Sequence, residues 1–409
     1  MKDKLNNKNL TSYSLLGFCL AFMGLPLYIY LPNYYADNFD INLQNIALIL
    51  FATRLIDTIQ DPIFGFFSDK YAHFKRKIIF YLSPLMGLAF LFLFYPLNII
   101  DIHIWLIITL IITFSLYSAV YINYQSYAVG FSSDYHLKTK IIAYREVAFI
   151  SGIIFAALIP AILFKIFDEK TSFLIVGVIY FILATIFAII FYYFAPKNQY
   201  NNISNSNFKN IFSNKILRKF SWVFLLNAIS AAIPAVLIMF FVENILGAKD
   251  KVGIFLLLYF GGLMIGAILW SKLSKILNNK SKTWLIAMSL TIFIFIFCYF
   301  LKEGDILYYS IICILSGIAF GGDFALAFSI LTDIIQKDKL ENNQTIIFGF
   351  CNFMIKISLT LSSSILIYFI GFFENNINLQ SEFISFSYAL LPIFFRILAG
   401  IILYRNFKQ

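Results

Sequence analysis

The chain alternates long apolar runs with short polar clusters. Most of these runs have about 20 or more residues, the length that an α-helix needs to cross ~30 Å of hydrocarbon. Cutting the sequence at its polar clusters gives twelve runs. They are 11–32, 43–67, 78–97, 103–128, 142–164, 172–194, 219–242, 252–271, 283–301, 306–331, 346–372 and 384–404. The pattern predicts an all-α integral membrane protein with twelve transmembrane helices and both termini on one side.

The one sizeable polar break in this pattern, rich in Asn, Ser and Lys, lies between the sixth and seventh runs. It divides the chain into an N-terminal six-helix half (1–195), a connector (196–217) and a C-terminal six-helix half (218–409). This layout is typical of the major facilitator fold, in which two halves rock about a binding site near the middle of the membrane.

Composition and charge agree with a membrane location. Hydrophobic residues make up 61% of the chain and charged residues 13%, whereas soluble domains are about 25% charged. The net charge of +10 comes mostly from one set of loops, which holds 22 of the 31 Lys and Arg residues against five in the other set. The positive-inside rule therefore predicts that both termini are cytoplasmic, in a bacterial inner membrane, and makes a nucleic-acid role unnecessary.

The four cysteines do not suggest a disulfide or a metal centre. All lie in apolar runs, without the spacing of metal ligands, which is typical of small buried hydrophobic residues. We expect no cofactor, and no metal beyond a coupling Na⁺.

Charged residues inside the second run are the strongest functional signal. At ~100° per residue, Arg54, Asp57 and Asp61 fall on one helix face, with the two carboxylates one turn apart. Two such carboxylates repel each other unless a cation lies between them or one is protonated. Oxygen ligands of this kind suit Na⁺, Li⁺ or H⁺. The alternative is that Arg54 neutralises Asp57 while Asp61 braces the cytoplasmic end of the helix.

Five further charges lie within the predicted spans. Because Arg145 and Glu146 are adjacent, they point ~100° apart on a helix, so we expect Arg145 to face the cavity and Glu146 to pair elsewhere. A structural pair between helices is the alternative. Lys356 lies deep in the eleventh run, and Asp323 in the tenth is its expected partner, as a site or as a structural or gating pair. Arg396 is expected to extend towards the membrane surface.

Aromatic and amide side chains give candidate substrate contacts. Tyr121, Tyr124 and Gln125 end the fourth run with a polar aromatic face, and Tyr28 follows a possible bend in the first helix. Such rings stack on sugars and their hydroxyl groups bind them. Anchoring of aromatic rings at the membrane interface is the alternative for all three tyrosines.

The second-run motif, Arg54, Asp57, Asp61, Pro62 and Gly65, resembles the signature of the glycoside-pentoside-hexuronide:cation symporters, the melibiose-permease group of the major facilitator superfamily. Further matches follow in order along about 350 residues. They are Tyr34 to Asp37, Asn123 to Ser126, Tyr144-Arg145, Leu331 to Asp333 with Asp338, and Phe348 to Lys356.

The resemblance implies roles for individual residues. In that family the two second-helix aspartates bind Na⁺, Li⁺ or H⁺, which implies this role for Asp57 and Asp61, and a fourth-helix hydroxyl assists at the place of Ser118. The fifth-helix arginine lines the sugar site, which implies this role for Arg145. The eleventh-helix lysine lies close to the cation and sugar sites, which points to Lys356.

The chain also departs from the melibiose type. Acidic sugar ligands of the first and fourth helices correspond to Ala21 and Tyr121, and a stacking tryptophan corresponds to Gln125. Gln60 stands where a shorter amide helps to select the cation. The resemblance therefore implies a symporter without defining a galactoside substrate or a choice between Na⁺ and H⁺.

Together these observations predict a secondary active transporter that imports a sugar, uronate or organic acid with Na⁺ or H⁺ and functions as a monomer in the lipid bilayer. One alternative is a carrier of lipid-like amphiphiles, or an exporter, from the same superfamily. The other is a non-transporting membrane enzyme or receptor. An enzyme is disfavoured because His73, His103 and His136 all lie near loops and no Cys-His or metal-ligand spacing occurs.

Overall fold

The structure, a computed structural model, describes residues 7–39, 41–97, 99–131, 135–196, 213–373 and 376–406. Almost all of these residues are helical. The α-helices are α1 (Asn7–Leu25), α2 (Leu31–Phe39), α3 (Leu43–Lys70), α4 (Lys75–Phe94), α5 (Ile102–Tyr127), α6 (Tyr135–Leu163), α7 (Glu169–Phe194), α8 (Lys215–Asn244), α9 (Val252–Ile276), α10 (Lys280–Ile296), α11 (Ile306–Gly322), α12 (Phe328–Lys337), α13 (Gln344–Phe372) and α14 (Ile377–Asn406).

Two short π-helical segments interrupt this pattern. Pro26–Tyr30 joins α1 to α2, and Asp323–Ala327 joins α11 to α12. A π-helical turn often marks a functional position. The second segment begins at Asp323, one of the charged residues predicted to lie within a span.

Ten helical segments among the described residues are long and apolar enough to cross a membrane. They correspond to the third to twelfth predicted runs. The first two runs are helical as well, but they are not among the ten. α3 carries Arg54, Asp57 and Asp61 within its apolar stretch, and the Pro26–Tyr30 segment interrupts the first run. The described residues are thus almost entirely helical, with ten segments that suit a membrane by length and composition.

The chain forms two compact units, which do not follow the predicted halves throughout. Unit 1 consists of Met1–Asp134, Tyr144–Asn207 and Lys339–Phe350. Unit 2 consists of Tyr135–Ala143, Phe208–Asp338 and Cys351–Gln409. The first turns of α6 and α13 are therefore each grouped with the unit that does not contain the rest of that helix.

Helix packing in unit 1 brings α3 and α5 side by side, and α4 packs on both α5 and α7. Asp101 begins α5 by accepting hydrogen bonds from the backbone N–H groups of His103 and Ile104. Asp168 begins α7 by accepting one from Thr171 N–H. Hydrogen bonds from Thr171 lower the pKa of Asp168 below its usual range.

In unit 2 the closest helix pair is α9 with α11. A Cβ atom on Gly266 would lie 2.1 Å from the backbone oxygen of Ile318. Small residues allow helix backbones to approach closely in this way. By contrast, a Cβ atom on Gly261 of the same helix would meet nothing within 4 Å. The apolar side chains that remain exposed on both units suit contact with lipid.

Candidate functional site

The two carboxylates of α3 are buried within unit 1. The exposed fractions are 4% for Asp57 and 1% for Asp61. Ser118 Oγ of α5 donates a hydrogen bond to Asp57 Oδ1 at 2.7 Å, and Ser115 Oγ donates to Gln60 Oε1 at 2.8 Å. Packing of α5 against α3 thus brings hydroxyl groups to the polar face of α3, where they supply oxygen atoms beside the carboxylates.

Arg145 and Glu146 of α6 form an ion pair with each other. Arg145 Nε and Nη2 lie 2.8 Å and 2.5 Å from Glu146 Oε1, and both side chains are buried. The prediction that the two residues face different surroundings is wrong. The ~100° between adjacent positions describes the Cβ directions, and a long arginine side chain crosses that angle to reach its neighbour.

Five ionisable side chains lie within the spans of unit 1. Arg54 and Arg145 are positive, whereas Asp57, Asp61 and Glu146 are negative. Buried carboxylates one turn apart repel each other and are stabilised by positive charge beside them, whether from a side chain, a bound cation or a proton.

Tyr121 connects this region to the Arg145–Glu146 pair. It lies close enough to Glu146, Arg145 and Asp61 for electrostatic interaction. Its ring stacks on that of Tyr117, with centroids 5.4 Å apart and planes 17° apart. Tyr121 is half-buried and lies near the charged groups, as expected for a residue that contacts a polar solute.

Tyr124 has a different environment. Its hydroxyl donates to the backbone oxygen of Tyr13, and the hydroxyl of Tyr13 donates in turn to the backbone oxygen of Tyr124, at 3.1 Å and 3.2 Å. The rings stack with centroids 4.5 Å apart. Tyr124 is completely buried in this contact between α1 and α5, so its predicted place in the substrate site is corrected to helix packing.

The remaining aromatic-face candidates are less informative. Gln125 is almost completely buried. The side chain of Tyr28 lies outside the described residues. The structure therefore associates Tyr121 with the charged groups of unit 1, and the substrate roles of Gln125 and Tyr28 stay predictions.

A second buried polar group in unit 2 surrounds Asp323. Arg396 Nη2 donates to Asp323 Oδ2, and Trp284 Nε1 donates to Asp323 Oδ1 at 2.6 Å. Arg396 Nη2 also donates to Asn227 Oδ1 at 3.1 Å, and the guanidinium carbon lies 4.2 Å from the ring centroid of Phe320. This group joins α8, α10 and α14 to the start of the Asp323–Ala327 π-helical segment.

Two predictions are corrected by this arrangement. The partner of Asp323 is Arg396 and not Lys356, and Arg396 does not extend to the membrane surface, because it is only 1% exposed. Lys356 itself is half-buried on α13. Positions 323 and 396 are far apart in sequence, so only the packing of α14 could reveal their contact.

Two further carboxylates join chain segments within each unit. In unit 1, Asp69 accepts hydrogen bonds from Lys75 Nζ, Thr345 Oγ1 and the backbone N–H groups of Thr345 and Ile346, at 3.0, 2.5, 3.0 and 2.9 Å. A carboxylate at the first turn of a helix, here α13, is stabilised by the helix dipole and by the free N–H groups.

In unit 2, Asp333 of α12 binds Lys138 Nζ and Lys280 Nζ at 2.7 Å and 2.5 Å, and Thr139 bonds to Ser329 at 2.9 Å. These contacts hold the first turn of α6. In the sequence, Asp333 stands out only as part of a family match, and Asp69 is not among the predicted site residues. The short spacing from Asp69 to Lys75 was the available signal.

The residues described by the structure contain no group of three or more His, Cys, Asp or Glu side chains arranged to hold a metal ion.

The family profile described as MFS/sugar transport protein matches residues 12–408, nearly the whole chain. The chain belongs to this family. Its members are transporters and not enzymes, as predicted from the sequence, and the predicted membership of the major facilitator superfamily is confirmed. Comparison with curated proteins gives no match.

Solved transporters have the same fold as this family member. A bacterial homologue of the iron transporter ferroportin, solved in an outward-facing state, has a TM-score of 0.73 at 13% identity, with 97% of this chain and 99% of that chain covered. The E. coli fucose:proton symporter FucP has a TM-score of 0.73 at 14% identity, with 98% of each chain covered. At these identities the similarity establishes the fold alone.

Proposed function

We propose that this transporter is a melibiose-permease-like symporter that moves a sugar or sugar-like polar solute together with Na⁺ or H⁺ by alternating access. In this proposal it has twelve transmembrane helices, in halves 1–195 and 218–409 joined by the connector 196–217. Both termini lie in the cytoplasm of a bacterial cell, and the protein functions as a monomer in the inner membrane.

The cation site consists of Asp57, Asp61 and Ser118. The observation that carries this assignment is the pair of carboxylates one helical turn apart on α3, Asp57 and Asp61, which are almost inaccessible to solvent. Ser118 donates its proton to Asp57, so the lone pairs of its oxygen remain available to a cation. Arg54, one turn before Asp57 on the same helix, reduces the local negative charge. Protonation of one carboxylate and binding of Na⁺ would each add one positive charge to this site.

The solute site extends from this cluster through Tyr121 to the Arg145–Glu146 pair. An arginine and a glutamate side by side offer both donors and acceptors to sugar hydroxyl groups. Glu146 supplies the acidic acceptor that is missing from positions 21 and 121. Because Glu146 neutralises Arg145, this pair offers no net positive charge to a uronate or organic acid, so a neutral sugar is the better fit.

Coupling follows from the electrostatics. Cation binding reduces the repulsion between the two carboxylates beside the solute site, which stabilises the conformation in which that site closes. The solute biases the same equilibrium, so each ligand increases the affinity for the other.

The test is uptake into proteoliposomes that contain the purified full-length protein. A panel of radiolabelled hexoses, pentoses, uronates and organic acids is supplied with an imposed Na⁺ gradient, an imposed H⁺ gradient or neither. We expect accumulation of a neutral sugar only with one of the gradients. Gradient-independent equilibration would overturn the coupling, and accumulation of acids alone would overturn the neutral-sugar assignment.

A further inference from the structure

One end of unit 1 combines exposed basic and aromatic side chains. It is the end at which α3 finishes at Lys70 and α4 begins. Lys70 and Lys77 are both exposed. Lys70 Nζ lies 5.8 Å from the ring centroid of Tyr71, and Lys77 Nζ lies 5.7 Å from that of Phe74, distances at which a ring attracts a cation. These four residues are termed the basic rim.

The positive charge of the basic rim is not neutralised by neighbouring carboxylates. Neither lysine forms an ion pair with a carboxylate among the residues that the structure describes. Asp69, next to Lys70 in sequence, is 1% exposed and is bonded to Lys75 and to the first turn of α13. Arg76 donates to two backbone oxygens at the end of α7 and not to a carboxylate. The rim therefore attracts anions from outside the protein.

Two stripes of exposed and mostly apolar side chains lead away from the basic rim, one on each helix. They are Ile56, Ile59, Ile63 and Phe67 on α3, and Tyr81 and Leu85 on α4. Spacings of three and four residues place each stripe on one face of its helix. Ile63 lies about 160° around α3 from Asp61, so the α3 stripe faces away from the proposed cation site.

The length of the α3 stripe matches one leaflet of a bilayer. The helix rises about 16 Å between Phe67 and Ile56, which is about half of the ~30 Å hydrocarbon thickness. An acyl chain that lies along this stripe has its headgroup at the basic rim. Tyr71 and Tyr81 suit this level, because tyrosine rings favour the boundary between headgroups and hydrocarbon.

The charge of the rim selects the class of headgroup. A phosphodiester without an amine carries a net negative charge, and each Lys or Arg near such lipids is worth about 1 kcal/mol. A zwitterionic headgroup carries its own ammonium or choline group, so it gains less from the two lysines. The rim and the stripes together therefore fit an anionic phospholipid better than a zwitterionic one.

We propose that the basic rim and the two stripes form a binding site for one anionic phospholipid of the phosphatidylglycerol type. Lys70 and Lys77 bind its phosphate group, and an acyl chain lies along the α3 stripe. The inference goes beyond the proposed symport and does not depend on it, because it requires only that the protein lies in a membrane.

The test measures lipid binding to the purified full-length protein in detergent by native mass spectrometry. The probes are phosphatidylglycerol and phosphatidylcholine with identical acyl chains, and inorganic phosphate. Lys70→Gln, Lys77→Gln and the double variant remove positive charge and keep a polar side chain. We expect each single change to weaken phosphatidylglycerol binding about fivefold and the double variant about 25-fold, with phosphatidylcholine binding unchanged.

Lys170→Gln is the matched control. Lys170 is exposed, and its Nζ also lies over an aromatic ring, 5.3 Å from the centroid of Phe39. It is located in the first turn of α7, next to Glu169, whereas the end of α7 is bonded to Arg76 beside the basic rim. Lys170 is thus at the opposite end of the unit, and the control is expected to bind phosphatidylglycerol like wild-type protein.

A second measurement reports the position of the lipid without removing a lysine. Tyr81→Trp places a fluorophore on the α4 stripe, and lipids with brominated acyl chains quench tryptophan fluorescence on contact. We expect brominated phosphatidylglycerol to quench the added fluorescence at a lower lipid concentration than brominated phosphatidylcholine does. Equal quenching by the two lipids would overturn the site, whether or not the double lysine variant folds.

The binding data have three further outcomes that would overturn the inference. The first is equal affinity of wild-type protein for the two phospholipids. The second is a preference for phosphatidylglycerol that persists in the double variant while its thermal stability equals that of wild-type protein. The third is binding of inorganic phosphate as tight as that of phosphatidylglycerol, which would mean a site for a free anion and not for a lipid.

Discussion

Breaking the ion pair between Asp323 and Arg396 should strongly destabilise unit 2. The two side chains are 8% and 1% exposed, so removal of either partner leaves the other charge buried without its counterion. Such a change costs about 3–5 kcal/mol, whereas removal of both charges is often close to neutral. We therefore expect Asp323→Asn and Arg396→Met each to lose about 3–5 kcal/mol, and the double variant to lose much less than their sum.

The assay is equilibrium unfolding by sodium dodecyl sulfate in mixed micelles, followed by tryptophan fluorescence, since Trp284 contacts Asp323 directly. The matched control is the exposed pair of Lys249 and Glu243, which is 2.6 Å apart. Its removal should cost less than about 1 kcal/mol. Additive losses in the double variant, or single losses no larger than those of the exposed pair, would refute the reasoning.

Three further predictions concern single positions. Ser118→Ala removes a hydrogen bond to the charged Asp57 and a cation ligand of the proposed site, so the half-saturating cation concentration for uptake should rise about tenfold. An unchanged concentration would exclude Ser118 from the cation site. Gly266→Ala should destabilise the protein by about 1–3 kcal/mol because its Cβ atom would meet Ile318 O. Gly261→Ala on the same helix should not destabilise it. Equal thermal stability of the two variants would contradict this packing. Asp168 has a lowered pKa in the folded protein, so its contribution to stability is present above its unfolded pKa and is lost as the pH falls through its folded pKa. The difference in melting temperature between wild-type protein and Asp168→Asn should therefore shrink as the pH is lowered from 6 towards 3. A pH-independent difference would contradict this account.

The membrane fold was predictable because the hydrophobic pattern is strong over most of the chain. Ten of the twelve predicted runs coincide with long apolar helices of the structure. The second run is the exception that matters for function. Its charged residues, Arg54, Asp57 and Asp61, lower the apolarity of α3 and also form its polar face. The division into six and six helices remains a prediction. Contacts in the structure group the first turns of α6 and α13 differently.

Partner choice was much less predictable than position. The sequence identifies Asp323 and Arg396 as charges within spans. It predicts Lys356 as the partner of Asp323 and the membrane surface as the location of Arg396. Both predictions are wrong because depth along a helix does not determine which helices touch. Similarly, Arg145 and Glu146 were separated by a rule about Cβ directions that does not account for the reach of a guanidinium group. The stacking of Tyr124 on Tyr13 depends on the packing of α1 against α5, which the hydrophobic pattern does not encode.

The central claim is that the buried carboxylates of α3 bind the coupling cation. The most direct measurement is titration of Na⁺, and separately of pH, into wild-type protein, Asp57→Asn and Asp61→Asn, with thermal stability as the readout, because a cation that binds the folded state raises it. Asp101→Asn, at an exposed loop, serves as the control. We predict that cation-dependent stabilisation disappears in both α3 variants and persists in the control. Equal stabilisation of wild-type protein and both α3 variants would contradict the account.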